Sequence, residues 1–173
     1  MQDWPVADVI DTDRLTLEPL RPEHAAEMAP ALDDVELHRY IGGRPASVDA
    51  LWQRYQWQSV GRSPDSSEGW LNWVVRDRRS GTAIGTVQAT LSRDDGRLAA
   101  ELAWVVATAH QRRGYAAEAA AGMAGWLRGQ GIEHFVAHVH PEHRASQRVA
   151  ARIGLAPTGM EVEGEIRWAG PTG

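Results

Sequence analysis

The chain has 173 residues, of which 43% are hydrophobic and 24% charged, and a formal net charge of −5 at pH 7. Those values fit a globular protein with a substantial core and exclude a general nucleic-acid binder, which needs a basic face. There is no cysteine, which excludes disulfides, thiol nucleophiles and thiolate metal sites.

Residues 1–10 hold Asp3, Asp8 and a proline but no basic flank or apolar run, so they do not read as a signal peptide. The longest apolar stretch, residues 98–109, is broken by Glu101 and is too short to span a bilayer. The expectation is a cytoplasmic protein with no membrane or nucleic-acid partner. A first strand is predicted over residues 14–20, where Leu15, Leu17 and Leu20 roughly alternate. Pro22 opens a short helix reaching residue 28, and a second helical piece over 35–40 stops at Gly42 and Gly43. Ser47 caps a third helix, with Asp49 in its first turn and an apolar face of Val48, Leu51, Trp52 and Tyr55. Residues 61–69, rich in Ser, Gly, Pro and Asp, read as a mobile loop.

Three strands follow, over residues 70–76, 82–91 and 97–106, joined by turns short enough for an antiparallel meander. An alanine-rich helix then runs to about residue 128 and is ended by Gly129 and Gly131. Residues 134–140 form a strand, and 144–153 a helix with Ser146, Val149, Ala150 and Ile153 on one face before Gly154. Two short strands, 158–163 and 165–168, finish the chain. The order predicts one α/β (α+β) domain over residues 1–173, built on a mixed sheet. Its strand–helix–strand unit, 97–140, requires a parallel pair with a right-handed crossover.

Between strand and alanine-rich helix stands Gln111-Arg112-Arg113-Gly114-Tyr115-Ala116. A helix N-terminus offers unpaired N–H groups and partial positive charge, and two arginines add to it. Gly114 permits close backbone approach, and Ala116 keeps the first turn free of bulk. The pattern suits an anion such as a pyrophosphate, although two arginines in a solvated loop would look the same.

Gln111-x-x-Gly114-x-Ala116 after a strand resembles the coenzyme-A pyrophosphate loop of the GNAT acetyltransferase superfamily. Residues 138–155, from His138-Val-His-Pro to Ile-Gly-Leu155, resemble the next motif of that family. Thr12-Asp-Arg-Leu, Gly81-Thr-Ala-Ile-Gly and Glu101-Leu-Ala-Trp104 look like landmarks of its ribosomal-protein N-terminal acetyltransferase branch. The resemblance implies a mostly antiparallel sheet, flanked by helices, with a central splayed parallel pair. It implies acetyl-CoA as co-substrate and direct attack by a primary amine, of a protein N-terminus or a small molecule, in a ternary complex. Coenzyme contacts would then come from Trp104, Val105, Val106, residues 111–116, His143 and Ser146, with a backbone N–H near Val105 or Val106 for the oxyanion. Two departures stand out: His143 replaces a family asparagine, and Ala150 replaces the tyrosine acid of many relatives. Ser146 becomes the candidate donor to the departing thiolate.

An ammonium acceptor must lose a proton before it attacks, which calls for a base or a water chain. Glu101, on the strand leading to the loop, and His138, five residues before His143, are the two candidates; each also has a purely structural reading. His134, His138 and His140 share strand parity with His143 nearby, but they spread over several residue rises and no carboxylate has ligand spacing, so no metal is expected. The acceptor is expected among Arg39, Tyr40, Ile41, Trp52, Trp57 and Trp168, although Trp52 also reads as core. Alternatives are a non-catalytic acyl-CoA-binding module and the same fold with another acyl donor; monomer and homodimer both remain open.

Overall fold

The computed structural model describes residues 3–41 and 43–170. Met1 and Gly42 lie outside the described residues, as does the side chain of Ile41. Eight strands among the described residues form one sheet in the order β1-β2-β3-β4-β5-β6-β8-β7. They are β1 (Ile10–Asp11), β2 (Leu15–Pro19), β3 (Gly69–Asp77), β4 (Ala83–Asp94), β5 (Arg97–Val106), β6 (His134–Val139), β7 (Ala156–Val162) and β8 (Glu165–Gly170). The helices are α1 (Ala25–Ala31), α2 (Val35–Ile41), α3 (Val48–Gln58), α4 (Tyr115–Gly129) and α5 (Arg144–Arg152). All neighbouring strands are antiparallel except β5 and β6, which the α4 crossover makes parallel.

Strand alternation assigns each face of the sheet a core. Leu71, Trp73 and Val75 of β3, with Val87, Ala89 and Leu91 of β4, join Ala119, Ala120, Met123, Ala124 and Leu127 of α4. Val149, Ala150 and Ile153 extend this main core to α5. On the opposite face Val74 and Ala83 pack with Met28 of α1 and with Leu51 and Tyr55 of α3. Small residues let α4 lie close: a Cβ at Gly122 would stand 2.8 Å from the Thr12 methyl group.

Several expectations change. The first helix divides into a 3-10 turn (Pro22–His24) and α1. The Nδ1 of His24 accepts the Arg21 N–H, and its Nε2 faces Glu18, so the turn is held by a buried histidine. The apolar face of α3 is half as wide as its spacing implies, with Val48 46% and Trp52 41% exposed. Residues 61–69 are tied down rather than loose. Ser63 and Ser67 donate to Asp65, Glu68 N–H donates to Ser63 Oγ, and the Trp4 indole donates to the Ser66 carbonyl.

Candidate active site

β5 and β6 pair only through Ala99↔His134, Ala100↔Phe135 and Glu101↔Val136. Beyond that register the strands part, and the gap opens into a cavity of about 310 Å³. Its walls include Glu101, Trp104 and Val105 of β5, His138 of β6, then His140, His143, Ser146, Glu165 and Tyr40. On β5, Ala100 and Leu102 belong to the main core, so Trp104 points to that face and Glu101, Ala103 and Val105 to the other. On β6, Phe135, Ala137 and Val139 face the main core and leave His138 on the side of Glu101. Side chains of both faces therefore meet in one opening.

Glu101 and His138 form a pair, with Nδ1 2.9 Å from Oε1. The carboxylate can only accept, so it holds the Nδ1 hydrogen, and in the uncharged form of the ring Nε2 is then the acceptor. The structure thus brings the two candidates into direct contact. Glu165, at the start of β8, is a residue that sequence reasoning missed. Burial raises its carboxyl above the ordinary range, opposed by His138 and His140.

On the other side of the gap the Trp104 indole N–H donates to Ser146 Oγ at 3.3 Å, and His143 Nε2 lies 3.5 Å from the same oxygen. Burial, followed by the charge of His140, lowers the pKa of His143 and favours its neutral ring. Tyr40 of α2 stacks on that ring at 4.3 Å between centroids and 12° between planes. Of the residues expected around the acceptor, Tyr40 lines the cavity. Trp57 instead packs on Trp70, and Trp168 is buried in the main core.

At the end of β5 a short 3-10 turn (Thr108–His110) leads into the arginine loop. Arg112 (φ 65°) and Gly114 (φ 79°) both adopt left-handed conformations, and residues 111–114 are exposed. No side chain caps α4 at Gly114, so the N–H groups of its first turn are available to a ligand. The Gln111 amide folds back and donates to the Val106 carbonyl at 2.9 Å, fastening the loop to β5. Tyr115 and Ala116 open the helix half-buried. The features fit a coenzyme pyrophosphate: uncapped donors, a glycine bend and two cations. Among the described residues no group of three or more His, Asp or Glu side chains is placed to hold a metal ion.

Residues 14–156 match the acetyltransferase (GNAT) domain family. The chain belongs to that family. It is 24% identical to YkkB of Bacillus subtilis (strain 168), an uncharacterized protein, over 146 residues, 83% of each chain. Among solved structures, the ribosomal-protein-S5-alanine acetyltransferase of Vibrio fischeri superposes with a TM-score of 0.74 at 17% identity, covering 95% of this chain and 96% of that one. The microcin C7 self-immunity acetyltransferase MccE, in complex with acetyl-CoA and AMP, gives 0.74 at 14% identity, covering 92% and 93%. At these identities the structural likeness establishes the GNAT fold, an acetyltransferase architecture with its splayed β5–β6 pair.

Proposed function

We propose that this acetyltransferase moves the acetyl group of acetyl-CoA onto a primary amine bound at the Glu101 side of the β5–β6 gap. The carrying observation is the Glu101–His138 pair, whose free Nε2 belongs to the same cavity as Ser146. Acetyl-CoA supplies the activated thioester. The loop at residues 111–116 holds its pyrophosphate through the first-turn N–H groups of α4, with Arg112 and Arg113 adding charge. His138 Nε2 takes a proton from the ammonium, while Glu101 stabilises the imidazolium that forms. The neutral amine bonds to the acetyl carbon, the C–S bond breaks with a hydrogen bond from the Ser146 hydroxyl to the departing thiolate, and the second proton shed by the nitrogen ends on that sulfur, giving the amide and the free coenzyme thiol. Peptide N–H groups near Val105 and Val106 stabilise the developing oxyanion.

The MccE complex supports acetyl-CoA as the donor, and the ribosomal-protein-S5-alanine enzyme supports a protein as one acceptor class. The test measures amine-dependent thiol release from acetyl-CoA by the wild type and by His138→Gln. The variant is expected to lose about a hundredfold in kcat and to keep its affinity for acetyl-CoA. Binding of acetyl-CoA with no thiol release on any amine of a broad panel would instead mark a non-catalytic coenzyme-binding protein.

A further inference from the structure

Glu118, in the first turn of α4, is the centre of a cluster that the catalytic reading leaves unused. Its Oε2 accepts the Thr12 hydroxyl at 2.6 Å and the Arg14 backbone N–H at 3.0 Å, and its Oε1 accepts Arg14 Nε at 2.8 Å. From there the Arg14 guanidinium reaches the arginine loop, where Nη1 donates to the Arg113 carbonyl at 2.9 Å. Its plane covers the Tyr115 ring at 4.3 Å. A Cβ on Gly114 would lie 3.4 Å from Nη2, so the same guanidinium flanks the left-handed bend. The β1–β2 turn that carries Arg14 is itself fixed, because Arg78 donates to the Thr12 carbonyl at 2.8 Å.

We propose that Arg14 is a positioning residue for the coenzyme loop, held in place by Glu118. The proposal rests on residues 111–116 being the pyrophosphate site. Two physical effects converge. Binding the Arg113 carbonyl from behind turns the loop's carbonyl away and its N–H groups outward, the arrangement an anion needs. The guanidinium also neutralises a carboxylate that would otherwise stand within the first helical turn and repel phosphate. Burial alone would raise the Glu118 carboxyl, yet hydrogen bonds from Thr12 and Arg14 hold it below the ordinary range, so it is ionised and needs this cation.

The test compares wild type, Arg14→Ala, Glu118→Gln and the double variant with two donors, acetyl-CoA and S-acetylpantetheine, which lacks the pyrophosphate. Arg14→Ala is expected to raise KM for acetyl-CoA about tenfold and to leave turnover of S-acetylpantetheine unchanged. Adding Glu118→Gln should recover part of that loss, since the uncompensated charge is then gone. Arg14→Lys, which keeps the charge but not the fork, should fall between wild type and alanine and serves if the alanine variant does not fold. Equal losses with both donors, or an unchanged KM for acetyl-CoA, overturn the proposal. Calorimetric titration of the wild type with acetyl-CoA separates the two levels. Absence of binding there removes the coenzyme reading and this inference with it, whereas binding that Arg14→Ala leaves intact removes only the role of Arg14.

Discussion

The indole N–H of Trp104 points at the hydroxyl oxygen of Ser146 from across the β5–α5 contact, 3.3 Å away. A tryptophan can only donate, so this contact occupies a lone pair of Ser146 and leaves its O–H for another acceptor. The His143 ring, on which Tyr40 stacks, is the second group at that oxygen.

If the remaining hydrogen serves a departing thiolate, Ser146→Ala should lower kcat about tenfold with little change in acetyl-CoA affinity. Trp104→Phe should cost less in a wild-type background and nothing further in the Ser146→Ala background. A double-mutant cycle on kcat reads both, and additive losses would separate the tryptophan from the hydroxyl.

The raised carboxyl of Glu165 has a pH signature. It becomes neutral at a less acidic pH than an ordinary glutamate, so in the proposed reaction, whose cavity it lines, its attraction for an ammonium acceptor would be lost there first. KM for the amine should therefore rise as pH falls through that range. Glu165→Gln should show the higher KM at all pH values and no such rise.

Arg76 joins Glu18 of β2 to Glu27 of α1, and His24 completes the group on Glu18. The hydrogen bonds from Arg76 hold both carboxyls below the ordinary range. Depressed carboxyl pKa values contribute stability that is full above the unfolded value, near 4.3 for glutamate, and lost as pH falls through the folded values. Arg76→Ala is expected to cost about 1–2 kcal/mol at neutral pH, because both carboxylates remain partly exposed to water. Its melting temperature should also fall less steeply on acidification than that of wild type, a comparison made by thermal melts across the acid range.

Gly85 faces Val106 across β4 and β5, and a Cβ there would run into the Val105 carbonyl oxygen. Gly85→Ala should destabilise the protein by about 1–3 kcal/mol and shift the strand end that precedes the arginine loop. Denaturant unfolding gives the first quantity, and a weaker acetyl-CoA affinity in calorimetry gives the second.

The eighteen lysine and arginine residues of the chain are all arginines, so it carries no lysine. Incubation with acetyl-CoA alone should leave every side chain without a new Nε-acetyl group by mass spectrometry. Acetyl found on a side-chain amine in an assay then belongs to the added acceptor, and the chain's own α-amino group is the one amine that needs a separate control.

What the sequence made readable was local. The strand–loop–helix at residues 97–129 carries its signals side by side, and the structure follows it within a residue or two. Glu101 and His138 were each visible as titratable residues, but their pairing depends on the β5–β6 register, which no local pattern encodes. Glu165 had no signal of its own, since its environment is assembled from three strands. Arg14 and Glu118 are 104 positions apart, and each alone reads as an ordinary surface charge. The two-residue β1 is too short for alternation to reveal, and Trp52 shows that helical spacing alone does not determine how much of a face is covered.

The sheet keeps its two cores apart, with α4 and α5 on one side and α1 and α3 on the other. Substitutions in separate clusters with no shared partners combine nearly independently. Residues such as Met28, Leu51 and Tyr55 can therefore be exchanged without disturbing the packing under the arginine loop. The architecture is modular across the thickness of the sheet: one layer can change its packing while the other keeps its own.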